Sequence, residues 1–222
     1  MTNYFDEDVA ARYDDETSLD PAMIDFLAPL GDTALELAIG TGRVAVPLAE
    51  RGVRVHGIEL SEAMAARLRA KTSEIPVTIG DMATTRVDGT FALVYLVFNT
   101  IMNLTTQDAQ VACFENAARH LAPGGVFVVE VGVPDLRRLP PGERLVAFSK
   151  TGIDEYDVAT QGLISHHHRE GGLRSVPFRY VWPSELDLMA RIAGLSLRER
   201  WENWSRAPFT NESRGHVSVW EH

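Results

Sequence analysis

Glu36-Leu37-Ala38-Ile39-Gly40-Thr41-Gly42-Arg43 leaves an apolar run and leads into a segment with helical spacing. Glycines at 40 and 42 permit a tight turn and let the backbone approach a ligand with no Cβ in the way. The helix that follows offers free N–H groups to electron-rich atoms. The stretch reads as a nucleotide-type cradle. Gly40-Thr41-Gly42-Arg43-Val44-Ala45 fits the G-x-G-x-x-G/A pattern of dinucleotide folds, and Glu59 follows at roughly the 20 residues that such folds leave before an acid on a ribose diol. Working outward, apolar strands are predicted over 34–39 and 53–59, with a helix over 44–51 between them closed by Gly52. That β-α-β unit carries a right-handed crossover.

Glu36 separates two ligands that share such a cradle. A carboxylate just before the glycines repels a pyrophosphate and attracts the ammonium and sulfonium of S-adenosyl-L-methionine. On these residues the sequence resembles the class I S-adenosylmethionine-dependent methyltransferases, whose first motif is an acidic residue followed by a Gly-x-Gly-x-Gly-like turn. Ala38 stands here at the first glycine position.

The resemblance covers about residues 33–132 and implies S-adenosyl-L-methionine as cofactor and S-adenosyl-L-homocysteine as product. It places Glu36, Ala38, Gly40 and Gly42 around the amino-acid end of the cofactor and Glu59 on the ribose, with Leu60 and Met64 beside it. It also implies that Gly80-Asp81-Met82, after a short strand over 75–79, sets Asp81 at the adenine amino group and the next backbone N–H at a ring nitrogen. A tyrosine from the acidic N-terminal segment folds over the cofactor in related enzymes, which makes Tyr13 a candidate cap. A sheet-edge cover is the alternative reading of that segment, whose aromatics include Tyr4.

The long apolar run 91–98 is predicted to be a central strand, and it exits into Asn99-Thr100-Ile101-Met102-Asn103. In an open α/β sheet the ligand crevice lies at the strand ends around the topological switch point. Val97, Phe98, Asn99 and Asn103 are therefore expected where the methyl group meets its acceptor. A helix over 106–121 stopped by Pro123-Gly124-Gly125, a fifth strand over 126–131 carrying Glu130, a helix from an N-cap at Ser184 to Gly194, and strands over 195–201 and 216–220 follow. The expected fold is α/β: a Rossmann-like, mostly parallel seven-stranded sheet with a terminal antiparallel strand, plus a small antiparallel β insertion.

That insertion is expected from short alternating segments at 155–160, 164–170 and 174–182, with Gly171-Gly172 as a hairpin turn. The domain reading is an N-terminal cap and helix over 1–32, a core over 33–134 and 183–222, and a substrate lid over 135–182. His166-His167-His168 lies in the lid, and strand alternation puts His166 and His168 on one face. Together with His216 they are the candidate bases, and an exposed polar strand is the alternative reading. Asn203-Trp204-Ser205, Phe209 and Arg214-Gly215-His216 are placed as an aromatic wall or as edge packing.

The 222 residues carry a formal net charge of -10, with no long basic run, which argues against nucleic acid and toward a small-molecule acceptor. One cysteine, Cys113, excludes an intramolecular disulfide framework, and no Cys/His spacing suggests a metal. Without a signal-like or membrane-spanning stretch, a cytoplasmic protein is expected. Oligomeric state is left open, a homodimer included. The expected reaction is methyl transfer to N or O of a small molecule by in-line displacement, which needs proximity and water exclusion more than a strong base. Two rivals remain at this point: an NAD-dependent oxidoreductase, which the glycine pattern also suits, and a non-catalytic S-adenosylmethionine-binding regulatory module.

Overall fold

The structure is a computed structural model, and it describes residues 7–136, 139–169 and 172–222. Tyr4, Glu170 and Gly171 of the sequence reading lie outside the described residues. The first strand, β1 (Thr33–Leu37), lies inside a seven-stranded sheet with β4 (Phe91–Leu96), the middle strand, on one side and β2 (Arg54–Glu59) on the other, all parallel. Beyond β2 lies β3 (Val77–Ile79), and beyond β4 lies β5 (Leu121–Gly132). Two last strands, β10 (Ser196–Trp201) and β11 (Gly215–Glu221), form a hairpin whose second strand inserts antiparallel beside β5.

The central strands are apolar throughout because helices cover both faces. On one face, helices α2 (Pro21–Leu27), α3 (Ala45–Glu50) and α4 (Glu62–Lys71) bury Met23, Phe26, Leu48 and Leu68 against Ala34, Leu93, Tyr95 and Val128. On the other, α5 (Gln107–His120) and α6 (Pro183–Ile192) bury Phe114, Ala117, Leu186 and Met189 against Leu35, Val94, Phe127 and Trp220. A further helix, α1 (Glu7–Glu16), lies against α4, tied by an ion pair from Lys71 to Asp14 at 2.6 Å. Among the described residues no helix is long and apolar enough to cross a membrane.

A second sheet of four antiparallel strands follows β5 in sequence: β6 (Leu145–Ala147), β7 (Gly152–Asp157), β8 (Gly162–Arg169) and β9 (Gly172–Arg179). Its base is fixed by the buried Arg179, whose guanidinium donates to Glu185 Oε1 at 2.7 Å, to Gln161 Oε1 at 3.0 Å and to Gln110. Gln110 in turn donates to the carbonyls of Ile101 and Arg179. The network locks the small sheet to α5, to α6 and to the turn after β4.

Two local expectations are corrected. Pro123-Gly124-Gly125 does not separate helix from strand: α5 ends at His120, and the three residues form a bulge inside β5, where pairing slips between Phe91↔Leu121 and Leu93↔Val126. A Cβ on Gly125 would come 2.8 Å from the carbonyl oxygen of Phe91, so only glycine lets the chain pass there. Ser184 does not cap α6. The cap position is Trp182 and Pro183 occupies the first turn, where its missing N–H costs nothing. Asp187 accepts from Arg200 and from Trp220 Nε1.

Candidate active site

The cradle follows from the backbone. Ala38, Gly40 and Gly42 all take positive φ (59°, 60° and 77°), so the turn after β1 winds through the left-handed region three times in five residues. Ala38 therefore carries strain that a glycine would relieve. A Cβ on Gly42 would lie 2.3 Å from Leu68 Cδ1, which explains why that position is bare.

Two carboxylates flank the turn. Glu59, at the end of β2, accepts from Gly40 N at 2.7 Å through Oε2 and from Ser61 N at 2.8 Å through Oε1, which braces the turn against the start of α4. Burial pushes its carboxyl above the usual range, opposed by those backbone donors. Glu36 is buried at 3 % exposure, with Tyr95 donating to its Oε2 at 2.8 Å. Burial raises its pKa to about 8, and the Tyr95 hydroxyl and the Arg43 guanidinium only partly offset this. Leu60 is half-buried and Met64 buried beside Gly40.

Residues from elsewhere converge on the same crevice. Asp81 opens the turn after β3, its Oδ1 accepting from Ala83 N at 2.8 Å, and Met82 is buried beneath it. The chain leaves β4 through buried Val97 and through Phe98 and Asn99, two successive non-glycine residues at φ 58° and 61°. This strained exit is held by Glu130 of β5, which accepts from Phe98 N at 3.0 Å and from Trp204 Nε1 at 2.8 Å, and by Asn99 Oδ1, which accepts from Gly132 N at 2.6 Å. Glu130 thus has a positioning role there.

Arg43, quoted with the motif but given no role from sequence, has its guanidinium 3.5 Å from the Phe98 ring centroid. It donates to the Tyr13 hydroxyl at 3.4 Å and to the Ser18 carbonyl at 2.9 Å. Tyr13 of α1 is thereby drawn over the crevice, close enough to Glu36 and Glu59 for both charges to raise its pKa along with burial. Being the first residue past the glycines was the signal for Arg43.

Among the described residues, cavities lie at and beside the strand exits. One of about 390 Å³ is lined by Ser18, Asp20, Phe98, Asn99, Glu130 and Asn203. A second, of about 260 Å³, lies between Asn99, Gly132 and the inner face of the small sheet. A third, of about 540 Å³, has walls of Trp182, Pro183 and Phe209. Asn99 and Gly132 border the first two, which therefore adjoin at the exit of β4.

The three candidate histidines are not brought together. His166 sits on the outer face of the small sheet, with Nδ1 2.8 Å from Ser175 Oγ and Nε2 3.5 Å from Glu155 Oε2, and His168 is exposed on that same face. Both point away from the 260 Å³ cavity, which is lined instead by alternate residues including Leu163 and Ser165. His167 shares that inner face. His216 of β11 is buried, its Nδ1 2.7 Å from Ser218 Oγ, and burial with the nearby Arg200 charge lowers its pKa to about 3. It is a neutral imidazole of very low basicity.

Comparison with known proteins gives this geometry its chemistry. Residues 34–125 match the family described as a methyltransferase domain. The chain is 30% identical over 208 residues to the cypemycin N-terminal methyltransferase of a Streptomyces species, spanning 86% of this chain and 83% of that protein. It is also 30% identical over 155 residues, 69% of this chain and 58% of the other, to dTDP-3-amino-3,6-dideoxy-alpha-D-glucopyranose N,N-dimethyltransferase of Streptomyces fradiae. The solved CcbJ methyltransferase of Streptomyces caelestis superposes with a TM-score of 0.82 at 37% identity, covering 96% of this chain and 95% of that one. The chain belongs to the class I S-adenosylmethionine-dependent methyltransferases. It is an enzyme of that class, and S-adenosyl-L-methionine is its cofactor.

The crevice fits that cofactor. Glu36 is a carboxylate whose burial disfavours its charge, and a bound ammonium would restore it. Gly40 and Gly42 let the turn take its left-handed course at the end of β1, and Arg43 Nε is buried with no partner among the described residues. The oxidoreductase reading falls with the family assignment.

Proposed function

We propose that this methyltransferase transfers a methyl group to the nitrogen of a small-molecule amine. Glu36, Ala38, Gly40 and Gly42 hold the amino-acid end of the cofactor, Glu59 with Leu60 and Met64 the ribose, and Asp81 with Met82 the adenine. Tyr13, Val97, Phe98 and Asn99 close the crevice around the transferring end. The four-stranded sheet, within 135–182, serves as the acceptor lid on a core formed by 33–134 and 183–222, with 1–32 as an N-terminal cap.

The observation that carries this reading is the 260 Å³ cavity, which is shared between the exit of β4 and the lid and has walls of Tyr156, Phe178 and Tyr180. Its size suits a small ring, and its position sets an acceptor against Asn99. The names of the two curated relatives, which act on a peptide amino terminus and on an amino sugar, support nitrogen as the attacked atom.

When bound, the cofactor would supply a sulfonium-activated methyl group to the acceptor nitrogen, with S-adenosyl-L-homocysteine as the leaving group. The protein's part is to align and to exclude water. Asn99, fixed by Gly132 N, gives the exit a set geometry. The Arg179 network sets the lid's height above it.

The test is calorimetric titration of the protein with S-adenosyl-L-methionine and S-adenosyl-L-homocysteine, followed by mass-spectrometric screening of dTDP-linked amino sugars and short peptides against their hydroxyl counterparts. Micromolar cofactor binding with one or two methyl additions confined to the amines is expected. Methylation of hydroxyl counterparts only would overturn the nitrogen assignment, and cofactor binding without turnover of any acceptor would favour a regulatory module.

A further inference from the structure

Strand β7 carries Asp154 onto the lid face that forms the 260 Å³ cavity, where alternation also sets Gly152 and Tyr156. Its cross-strand neighbour on that face is Ser165, whose hydroxyl donates to the Asp154 carboxylate. Ser165 Oγ is in turn 3.1 Å from His167 Nε2. The other carboxylate oxygen, Oδ1, is buried and has no hydrogen-bond partner among the described residues. A buried acceptor atom without a donor is costly, of the order of 1–3 kcal/mol, and in a lid it marks the place where a ligand brings the donor.

The walls narrow the donor's identity. Tyr156 and Tyr180 pack with ring centroids 5.6 Å apart, and both line the cavity with Leu163 and Phe178. A carboxylate set among aromatic faces attracts cations on two counts, since the ring quadrupoles and the carboxylate act with the same sign. A neutral hydroxyl acceptor can donate to the carboxylate but gains no charge–charge or cation–π attraction.

We propose that Asp154 recognises the acceptor amine in its ammonium form and takes the proton that the nitrogen must lose before it can attack. This deepens the amine reading above and rests on it. An ammonium nitrogen has no lone pair, so one N–H bond must break first. The proton goes to Asp154 Oδ1, the electron pair of the broken N–H bond stays on nitrogen, and that pair forms the new N–C bond as the S–CH3 bond breaks and its electrons leave on the sulfide sulfur. The proton is then released from Asp154 to water as the product leaves.

The groups that face Asp154 suit the role. From β8, His166 and His167 lower its pKa electrostatically and Ser165 stabilises its charge, while burial acts more strongly and raises it. Across β8, Arg174 of β9 pairs with His167, and Tyr156 and Tyr180 contribute neutral hydroxyls to the walls. A carboxylate raised in this way is a better proton acceptor than an ordinary aspartate.

The test uses Asp154→Asn and Ser165→Ala in the full chain, with S-adenosyl-L-homocysteine titration as the check that each variant is folded. Two readouts follow, with the dTDP-amino sugars and free-amino-terminus peptides of the screen as probes. In the homocysteine complex, wild type is expected to bind an amine at least about 30-fold tighter than its hydroxyl counterpart, and Asp154→Asn to lose that preference. In turnover, Asp154→Asn is expected to lower kcat/KM about 100-fold at pH 7, with the gap closing as pH rises past the amine's own pKa. Ser165→Ala should show a smaller loss with the same pH trend.

An unchanged amine preference, or a loss equal at every pH, would overturn the assignment of Asp154 while leaving N-methylation standing. A screen in which no amine is methylated would overturn both readings.

Discussion

Replacing Glu36 by glutamine removes a charge from a site that burial has already made hostile to it. In the folded protein without cofactor, burial moves this carboxyl from 4.5 to about 8, a difference of about 3.5. At ~1.36 kcal/mol for each step of one in pKa, the ionised form is penalised by the order of 5 kcal/mol. A carboxyl whose folded pKa lies above its unfolded value binds more protons folded than unfolded between the two. Stability therefore falls as pH rises from about 4.5 to 8 and is level above that. Urea unfolding of the wild type without cofactor should show this decline. Glu36→Gln keeps the Tyr95 hydroxyl bond through its amide oxygen and should match the wild type near pH 5, then exceed it by ~3–5 kcal/mol at pH 9. In the proposed cradle the same variant loses the charge set against the cofactor's ammonium, so calorimetry should show affinity for S-adenosyl-L-methionine reduced by ~30- to 1,000-fold. A wild-type stability that is flat between pH 5 and pH 9, or a variant that binds the cofactor undiminished, would refute the reasoning.

Arg179→Met should destabilise the protein by ~3–5 kcal/mol in urea, because Glu185 is left as a largely buried carboxylate without its cation. The double variant Arg179→Met/Glu185→Leu should recover much of that loss, and the acceptor KM of either should rise more than the cofactor Kd, since the pair holds the lid and not the cradle. Gly42→Ala places a Cβ 2.3 Å from Leu68 Cδ1 at a φ of 77°. A loss of ~2–4 kcal/mol, read by thermal and urea unfolding together with weaker cofactor binding, is the expected outcome.

The catalytic histidines show where sequence reading stopped. Alternation correctly put His166 and His168 on one face and His167 on the other, but nothing local says which face meets the core. That depends on the pairing Asp154↔Ser165 and on how the small sheet sits on the exit of β4, and a slip of one residue exchanges the faces. The strand reading began at Glu155 and so passed over Asp154. Tracing alternation back to Gly152 would have put Asp154 and Tyr156 on one face, though not in a cavity.

Arg43 and Glu130 were visible as residues, and Glu130 was noted in its strand. Their partners were not legible, because Phe98, Trp204 and Tyr13 reach them from segments 30 to 74 positions away. His216 looked like a free base only because its burial could not be read from the chain.

The sequence by itself determined where the proposed cofactor cradle lies. Glu36, the two glycines, Glu59 and Asp81 stand in or just after the parallel strands β1, β2 and β3, and in a β-α-β fold the order of strands along the chain brings their ends to one edge. The same logic gave the seven-stranded sheet and its antiparallel strand. Tertiary structure alone decided the cavity proposed for the acceptor, where Asn99, Gly132, Asp154 and Tyr180 meet across the gap between two sheets. Which side chains line that gap follows from register and packing, and neither is written in any short stretch of the chain.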